Sequence, residues 1–242
     1  LARQNEYIAD KSSVELAGQQ NAVNALLRVN IAAHFEDEEF WPAINRRVAR
    51  EADPCANRST FWAQSLRAML DADMRTRFLE AASQRKTDHL DTHPALSDRL
   101  AAMGVAIDPA AARQLEVPRI PAATAWLGVH LEAIKQEFDH KWKESVEEDW
   151  RSRHAHLLER RERLAALEAQ AALSTDEEWE RITIIDELTP ESDLLPLLHA
   201  LLEKNPGHVS ALFRRGKLLL QQDDEAGIAD LEAVMQVDED AI

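Results

Sequence analysis

The chain has 242 residues, 45% of them hydrophobic and 30% charged, enough apolar material to build real cores; disorder is excluded, and one large or two smaller domains are expected. Its 44 acidic residues against 28 basic ones give a formal charge of -16, which excludes the basic face that a nucleic-acid partner requires. No apolar run approaches the roughly 20 residues that cross a bilayer and there is no signal peptide, so this stretch reads as soluble; the single cysteine, Cys55, excludes an intrachain disulfide and fits a reducing compartment.

With only 6 glycines and few clusters of β-branched residues, the composition favours helix throughout, and the expected fold class is all-α. Ile182-Thr183-Ile184-Ile185 is the only strand-like run, and it sits inside a helical pattern. The first helix is expected from about Ala2 to Ala17, stopping at Gly18. Within it, Asn5-Glu6-Tyr7-Ile8-Ala9-Asp10 places two carboxylates four residues apart, so Glu6 and Asp10 share one face a single turn apart. Such a pair can give a metal one ligand and orient it with the other. The two histidines that would complete a zinc-peptidase site are missing: no H-E-x-x-H occurs, and His89-Leu90-Asp91-Thr92-His93 lacks the glutamate of a general base.

A second helix follows on the stripe Val23, Leu26, Leu27 and Ile31. Glu36-Asp37-Glu38-Glu39 reads as a solvated surface or a helix start, and Phe40-Trp41 as core, with contact to a substrate side chain as the other use. Phe61 to Leu79 is expected as one amphipathic helix with Leu66, Met69, Leu70 and Met74 on its stripe. Lys86 to Thr92 is a polar connection into His93-Pro94, where the proline disfavours helix at His93 and makes His89 a poor companion ligand. The helix after it closes at Gly104.

Two motifs together resemble a known family. Asn5-Glu6-x-x-Ala9-Asp10 is similar to the third-ligand helix of the membrane zinc metallopeptidases that include HtpX and the CAAX prenyl endopeptidases. Thr92-His93-Pro94-Ala95-Leu96-Ser97-Asp98-Arg99-Leu100 resembles the downstream H-P-x-L-x-x-R segment of that family, in the right order. The resemblance implies Glu6 as the third zinc ligand and Asp10 as its supporting carboxylate. It implies His93 lining the active site, where it binds substrate or stabilises the tetrahedral intermediate, and Arg99 paired with Asp10. The zinc-binding histidines and catalytic glutamate would lie upstream of Leu1, so the chain reads as a fragment.

Residues 105–125, with Pro109, Pro118 and Pro121, read as a linker after the peptidase part at 1–104. Residues 126–173 read as one long amphipathic helix on Leu131, Ile134, Phe138, Trp142, Val146 and Trp150. Its basic stretch from Arg151 to Arg163, interrupted by Glu159 and Glu162, reads as helix-surface ion pairs, and His154 and His156 face different ways. Residues 174–242 carry a capping-box start at Thr175 to Glu178, a helix start at Thr189-Pro190 and a stop at Asn205-Pro206-Gly207. Ala211 to Leu219 followed by Gly227 to Val234 resembles a tetratricopeptide repeat, with Gly216 at the close helix contact and Asp238-Glu239 closing the unit.

The resemblances imply a membrane-anchored zinc endopeptidase as the parent, acting on a protein or peptide substrate, with a C-terminal helical repeat that binds a protein partner. The membrane contact would come from upstream segments, with this region facing the cytoplasm. Zinc is the cofactor implied for the parent. None is expected to be held tightly by this chain, which by itself is expected to be inactive. The alternative is a non-catalytic helical scaffold that binds a protein through its repeats.

Overall fold

A computed structural model describes residues 2–69, 71–89, 91–115 and 120–237, and among them every regular element is helical. The chain divides into two compact units, Leu1–Arg151 and Ser152–Ile242.

In the first unit, α1 (Ala2–Ala17) ends at Gly18, whose φ of 82° is open to glycine and strained for other residues, and α2 (Gln19–Phe35) follows at once. The helical run does not stop at Phe35. It passes through a π-helical turn, Glu36–Phe40, into α3 (Trp41–Arg47), so the four acids lie within a helix. Pro42 accounts for the wide turn. A proline inside a helix has no N–H to donate and crowds the carbonyl four residues back, here that of Glu38; a turn closed over five residues, with the Trp41 N–H reaching the Glu36 carbonyl, relieves the crowding. Across this turn runs a buried series, Val23, Leu27, Ile31, Phe35, Phe40, Ile44 and Val48.

The single helix expected between Phe61 and Leu79 is two: α4 (Arg58–Met69) and α5 (Ala72–Gln84). The break is set by Asp71, whose side chain accepts from the Met74 N–H and caps α5, a local bond that competes with helix continuation. Leu70 of the expected stripe lies outside the described residues. Phe78 and Leu79 of α5 are fully buried, and α6 (Leu96–Ala102) adds Leu96 and Leu100.

Part of the expected linker is packed structure. Pro109–Gln114 forms a 3-10 turn lying on α5, with Ala112 fully buried and its carbonyl accepting from Arg75 Nε at 3.2 Å. Pro118 lies outside the described residues. The long helix expected from residue 126 begins later, because Gly128 at φ 49° ends a short helix, α7 (Ala122–Leu127), before α8 (Leu131–Glu168) starts. On α8 the expected stripe residue Phe138 is 60% exposed and its neighbour Asp139 is buried instead. Asp139 Oδ1 accepts from Ser59 N–H at 2.9 Å and Ser59 Oγ at 2.6 Å at the start of α4, which turns Phe138 outward. Trp150 Nε1 donates to the Glu51 carbonyl at 2.8 Å.

The unit boundary falls inside α8. In the second unit, the end of α8 is followed by α9 (Thr175–Leu188), α10 (Leu195–Lys204), α11 (Val209–Gln221) and α12 (Ala226–Val237), around a core of Ile182, Leu194, Leu198, Leu201, Leu202, Ala211, Leu212 and Val234. The capping box of α9 is Ser174 with Glu177, one residue before the expected Thr175 and Glu178, because Glu178 pairs with Lys204. Thr189 closes α9 by donating to the Ile185 carbonyl, so the Thr189-Pro190 start is not used; α10 begins at Leu195 with Pro196 in its first turn. Asn205 ends α10 as expected. The basic stretch of α8 pairs partly within its own helix, Arg151 with Glu147 at 2.9 Å, and partly with α9: Arg160 and His156 with Glu187, Arg163 with Glu180. At Gly216 a Cβ would lie 2.9 Å from the Gly227 carbonyl oxygen, so α11 and α12 touch backbone to backbone. Asp238 and Glu239 lie outside the described residues.

Candidate functional site

The i, i+4 spacing on α1 carries Glu6 and Asp10 on one helical face, and α6 brings Arg99 to it. Arg99 Nε donates to Asp10 Oδ2 at 2.8 Å and its terminal nitrogen to Asp10 Oδ1 at 2.6 Å, a two-point fork on a carboxylate that is 6% exposed. The other terminal nitrogen lies 3.0 Å from Glu6 Oε2. One guanidinium therefore holds both acids. The Asp10 hydrogen bonds, with the Asp10 and Glu6 charges behind them, raise the Arg99 guanidinium above its ordinary pKa and outweigh its desolvation.

His93 completes the cluster from the loop before α6. Its Nδ1 lies 2.7 Å from Glu6 Oε1; because a carboxylate only accepts, Nδ1 carries the proton and Nε2 faces outward on a ring that is 73% exposed. Pro94 keeps His93 out of the helix, and Ala95, in an extended conformation, turns the chain into α6. Two ties the sequence reading missed hold this loop. Arg3 donates to the carbonyls of His89 at 3.0 Å and Asp88 at 3.4 Å, and Thr87 Oγ1 accepts from the Ala95 N–H at 2.7 Å. No motif signals either, since both involve backbone atoms brought together from distant positions.

The structure thus places Glu6, Asp10, His93 and Arg99 in one cluster, with Glu6 as the shared acceptor between an imidazole and a guanidinium. No protein-family model, curated protein or solved structure matches the chain. Among the described residues no group of three His, Cys, Asp or Glu side chains could hold a metal ion. Of the cluster's two carboxylates Glu6 is the one placed to meet a metal, and the outward Nε2 of His93 is the other free donor atom. Each Glu6 oxygen already accepts one bond, and a carboxylate has lone pairs left for a further contact, so Glu6 fits as a single ligand while a tetrahedral zinc set would need donors from elsewhere. His89 stands apart, its Nδ1 3.0 Å from Asp88.

Phe40 is core, packed on Phe61 and edge-on to Trp41, while Arg58 lies between the faces of Trp41 and Trp142. Cys55 is buried, and that burial pushes its thiol above the ordinary pKa, away from nucleophilic use. No helix among the described residues is long and apolar enough to cross a membrane.

Proposed function

We propose that this chain is the distal part of a membrane-anchored zinc endopeptidase of the HtpX and CAAX prenyl endopeptidase kind, followed by a tetratricopeptide-like region that engages a protein partner. The observation that carries it is the single cluster in which Arg99 grips Asp10 by two bonds and Glu6 by a third, while His93 holds the other Glu6 oxygen. The burial of Leu96 and Leu100 brings α6 beside α1, and what supports the reading is that the polar residues of both motifs then meet at one point.

In this reading Glu6 is the third zinc ligand, and bound zinc would supply Lewis acidity and an acidified water. The chain's own residues do the rest of their work as follows. Asp10 and Arg99 lock the Glu6 carboxylate in one orientation, which is the support a ligating group needs. His93, with Nδ1 held by Glu6, presents Nε2 to an incoming peptide carbonyl and can donate a hydrogen bond there when protonated.

The test uses the polypeptide read from the intact gene. Expected are an H-E-x-x-H helix in the part that precedes Leu1, one zinc per molecule, chelator-sensitive cleavage of casein, and loss of both zinc and cleavage in Glu6→Ala. An intact protein without H-E-x-x-H, or one whose zinc and activity survive Glu6→Ala, ends the proposal.

A second reading, a non-catalytic scaffold, draws on a cavity of about 320 Å³ between α9 and α11, walled by Trp179, Ile182, Val209 and Phe213 with Asp186 and Arg214 at its polar side. A partner that binds there with unchanged affinity when the intact protein lacks any proteolytic activity would favour it.

A further inference from the structure

The second unit holds a cationic side chain that its own acids leave alone. Arg181 sits on α9 in an acidic stretch, Asp176-Glu177-Glu178-Trp179-Glu180, with carboxylates three and four residues before it, the spacing at which helix ion pairs form. Each of those carboxylates is turned to another partner. Glu177 Oε2 accepts from the Ser174 N–H at 2.9 Å, Glu178 pairs with Lys204, and Glu180 takes both bonds of Arg163. Arg181 Nε lies out of solvent with no hydrogen-bond partner, and no carboxylate among the described residues reaches its guanidinium. In a chain with sixteen more acids than bases, an arginine left over in this way is a site waiting for an anion.

The space for one is present. Arg181 lines a cavity of about 360 Å³ whose other walls are Leu167, Glu168 and Gln170 around the end of α8, the turn at Ala171 to Leu173, Glu178 of α9 and Lys204 from α10. Lys204 adds a second positive group at the rim, already shared with Glu178. In a lining that is mostly polar, Ala171, Ala172 and Leu173 form one small apolar edge against which a short hydrocarbon stem would lie, while a planar guanidinium fork matches a planar carboxylate better than a tetrahedral oxyanion. We propose that this pocket receives a carboxylate carried on a short apolar stem, presented by an acidic side chain or chain end of a partner or by a small organic acid. It does not depend on the zinc reading, and it lies apart from the groove of Trp179 and Phe213.

The whole 242-residue chain, labelled with nitrogen-15, is titrated with butyrate at constant ionic strength. Saturable shifts of the Arg181 Nε–Hε signal and of the Ala171 to Leu173 amides are expected, with binding about tenfold weaker in Arg181→Gln and a smaller loss in Lys204→Gln. Arg181→Lys keeps the charge and the stem but not the fork, and is expected to weaken butyrate about tenfold if the glutamine variant does not fold. The proposal falls if the shifts do not saturate, or if they persist in the arginine variants. It falls as well if phosphate binds as tightly as butyrate, or if Glu168→Gln moves the Arg181 signal without ligand, which would show that pair already formed. A short peptide ending in Leu-Glu binding more tightly than butyrate identifies a protein source, and the reverse identifies a free acid.

Discussion

Arg99 meets Asp10 with Nε and a terminal nitrogen at once, 2.8 and 2.6 Å from its two oxygens, on a carboxylate that is almost out of solvent. Removing one partner of such a pair leaves the other desolvated and uncompensated. Asp10→Asn is expected to cost about 3 kcal/mol, read by urea denaturation. The double variant Asp10→Asn with Arg99→Met should recover part of that loss, because no charge is then stranded. Simple additivity in the double variant would show that the pair is not coupled.

His93 touches the same cluster from the exposed side, so its stability and functional consequences should separate. His93→Ala is expected to change stability by less than about 0.5 kcal/mol. If the zinc-endopeptidase proposal holds, the same change in the intact gene product should lower peptide cleavage by about 100-fold or more with zinc content retained. A variant that loses zinc and stability together would place His93 in the framework and not at the substrate.

Gly216 allows two backbones to touch. In an open helix Gly→Ala stabilises by up to about 1 kcal/mol. Here the new Cβ would meet the Gly227 carbonyl oxygen at 2.9 Å, and neither backbone can yield cheaply, so Gly216→Ala is expected to destabilise by about 1–3 kcal/mol. Thermal melting of the two proteins decides the sign.

Asp139 caps α4 from another helix by accepting from both the N–H and the hydroxyl of Ser59. Asp139→Ala should cost about 2–3 kcal/mol. Hydrogen exchange should show the loss first in the opening turn of α4. Phe138→Ala next to it, on the exposed side, should be close to neutral.

Acid should loosen the second unit. Glu177 is held below the ordinary carboxylate range by the Ser174 N–H and hydroxyl, and Glu180 by the Arg163 fork. At Glu187 burial pushes upward but is outweighed by the hydrogen bonds of His156 and Arg160. A carboxyl depressed in the folded state stabilises fully above its unfolded value, about 4.3, and loses that contribution as pH falls through the depressed folded value. The melting temperature should therefore hold between pH 7 and 5 and fall below about pH 4, and Glu180→Gln should flatten the fall.

Much of the helical content was legible because it rests on local signals. Gly18 ends α1 at the expected residue, Asn205 ends α10, and Ile182 to Ile185 stayed helical inside a pattern that outweighed their β-branching. Boundaries failed where a side chain far away or one position over took the decisive bond. Asp71 split α4 from α5, Lys204 drew Glu178 away from the cap of α9, and Ser59 pulled Asp139 inward at the expense of Phe138. The four residues of the candidate site were readable as two motifs, one on α1 and one running from the loop before α6 into that helix. Their supporting ties were not, since Arg3 and Thr87 act through backbone groups that no spacing rule names.

The wide turn at Glu36–Phe40 sits in a buried series whose members are four residues apart everywhere except between Phe35 and Phe40, where the step is five. That makes the segment tolerant of length change in one direction at one place. Deleting a single acid from Glu36 to Glu39 would restore a four-residue step and keep Phe40, Ile44 and Val48 on the core side, its cost confined to Pro42, whose ring would again crowd the carbonyl four residues back by about 3 kcal/mol. The same deletion one turn earlier, between Leu27 and Ile31, would shorten a step that is already four and swing the preceding half of α2 by about 100° about its axis, carrying Val23 and Leu27 out of the core. The π turn is thus the one point along this helix where the reading frame of side chains against the core can be reset without unpacking it.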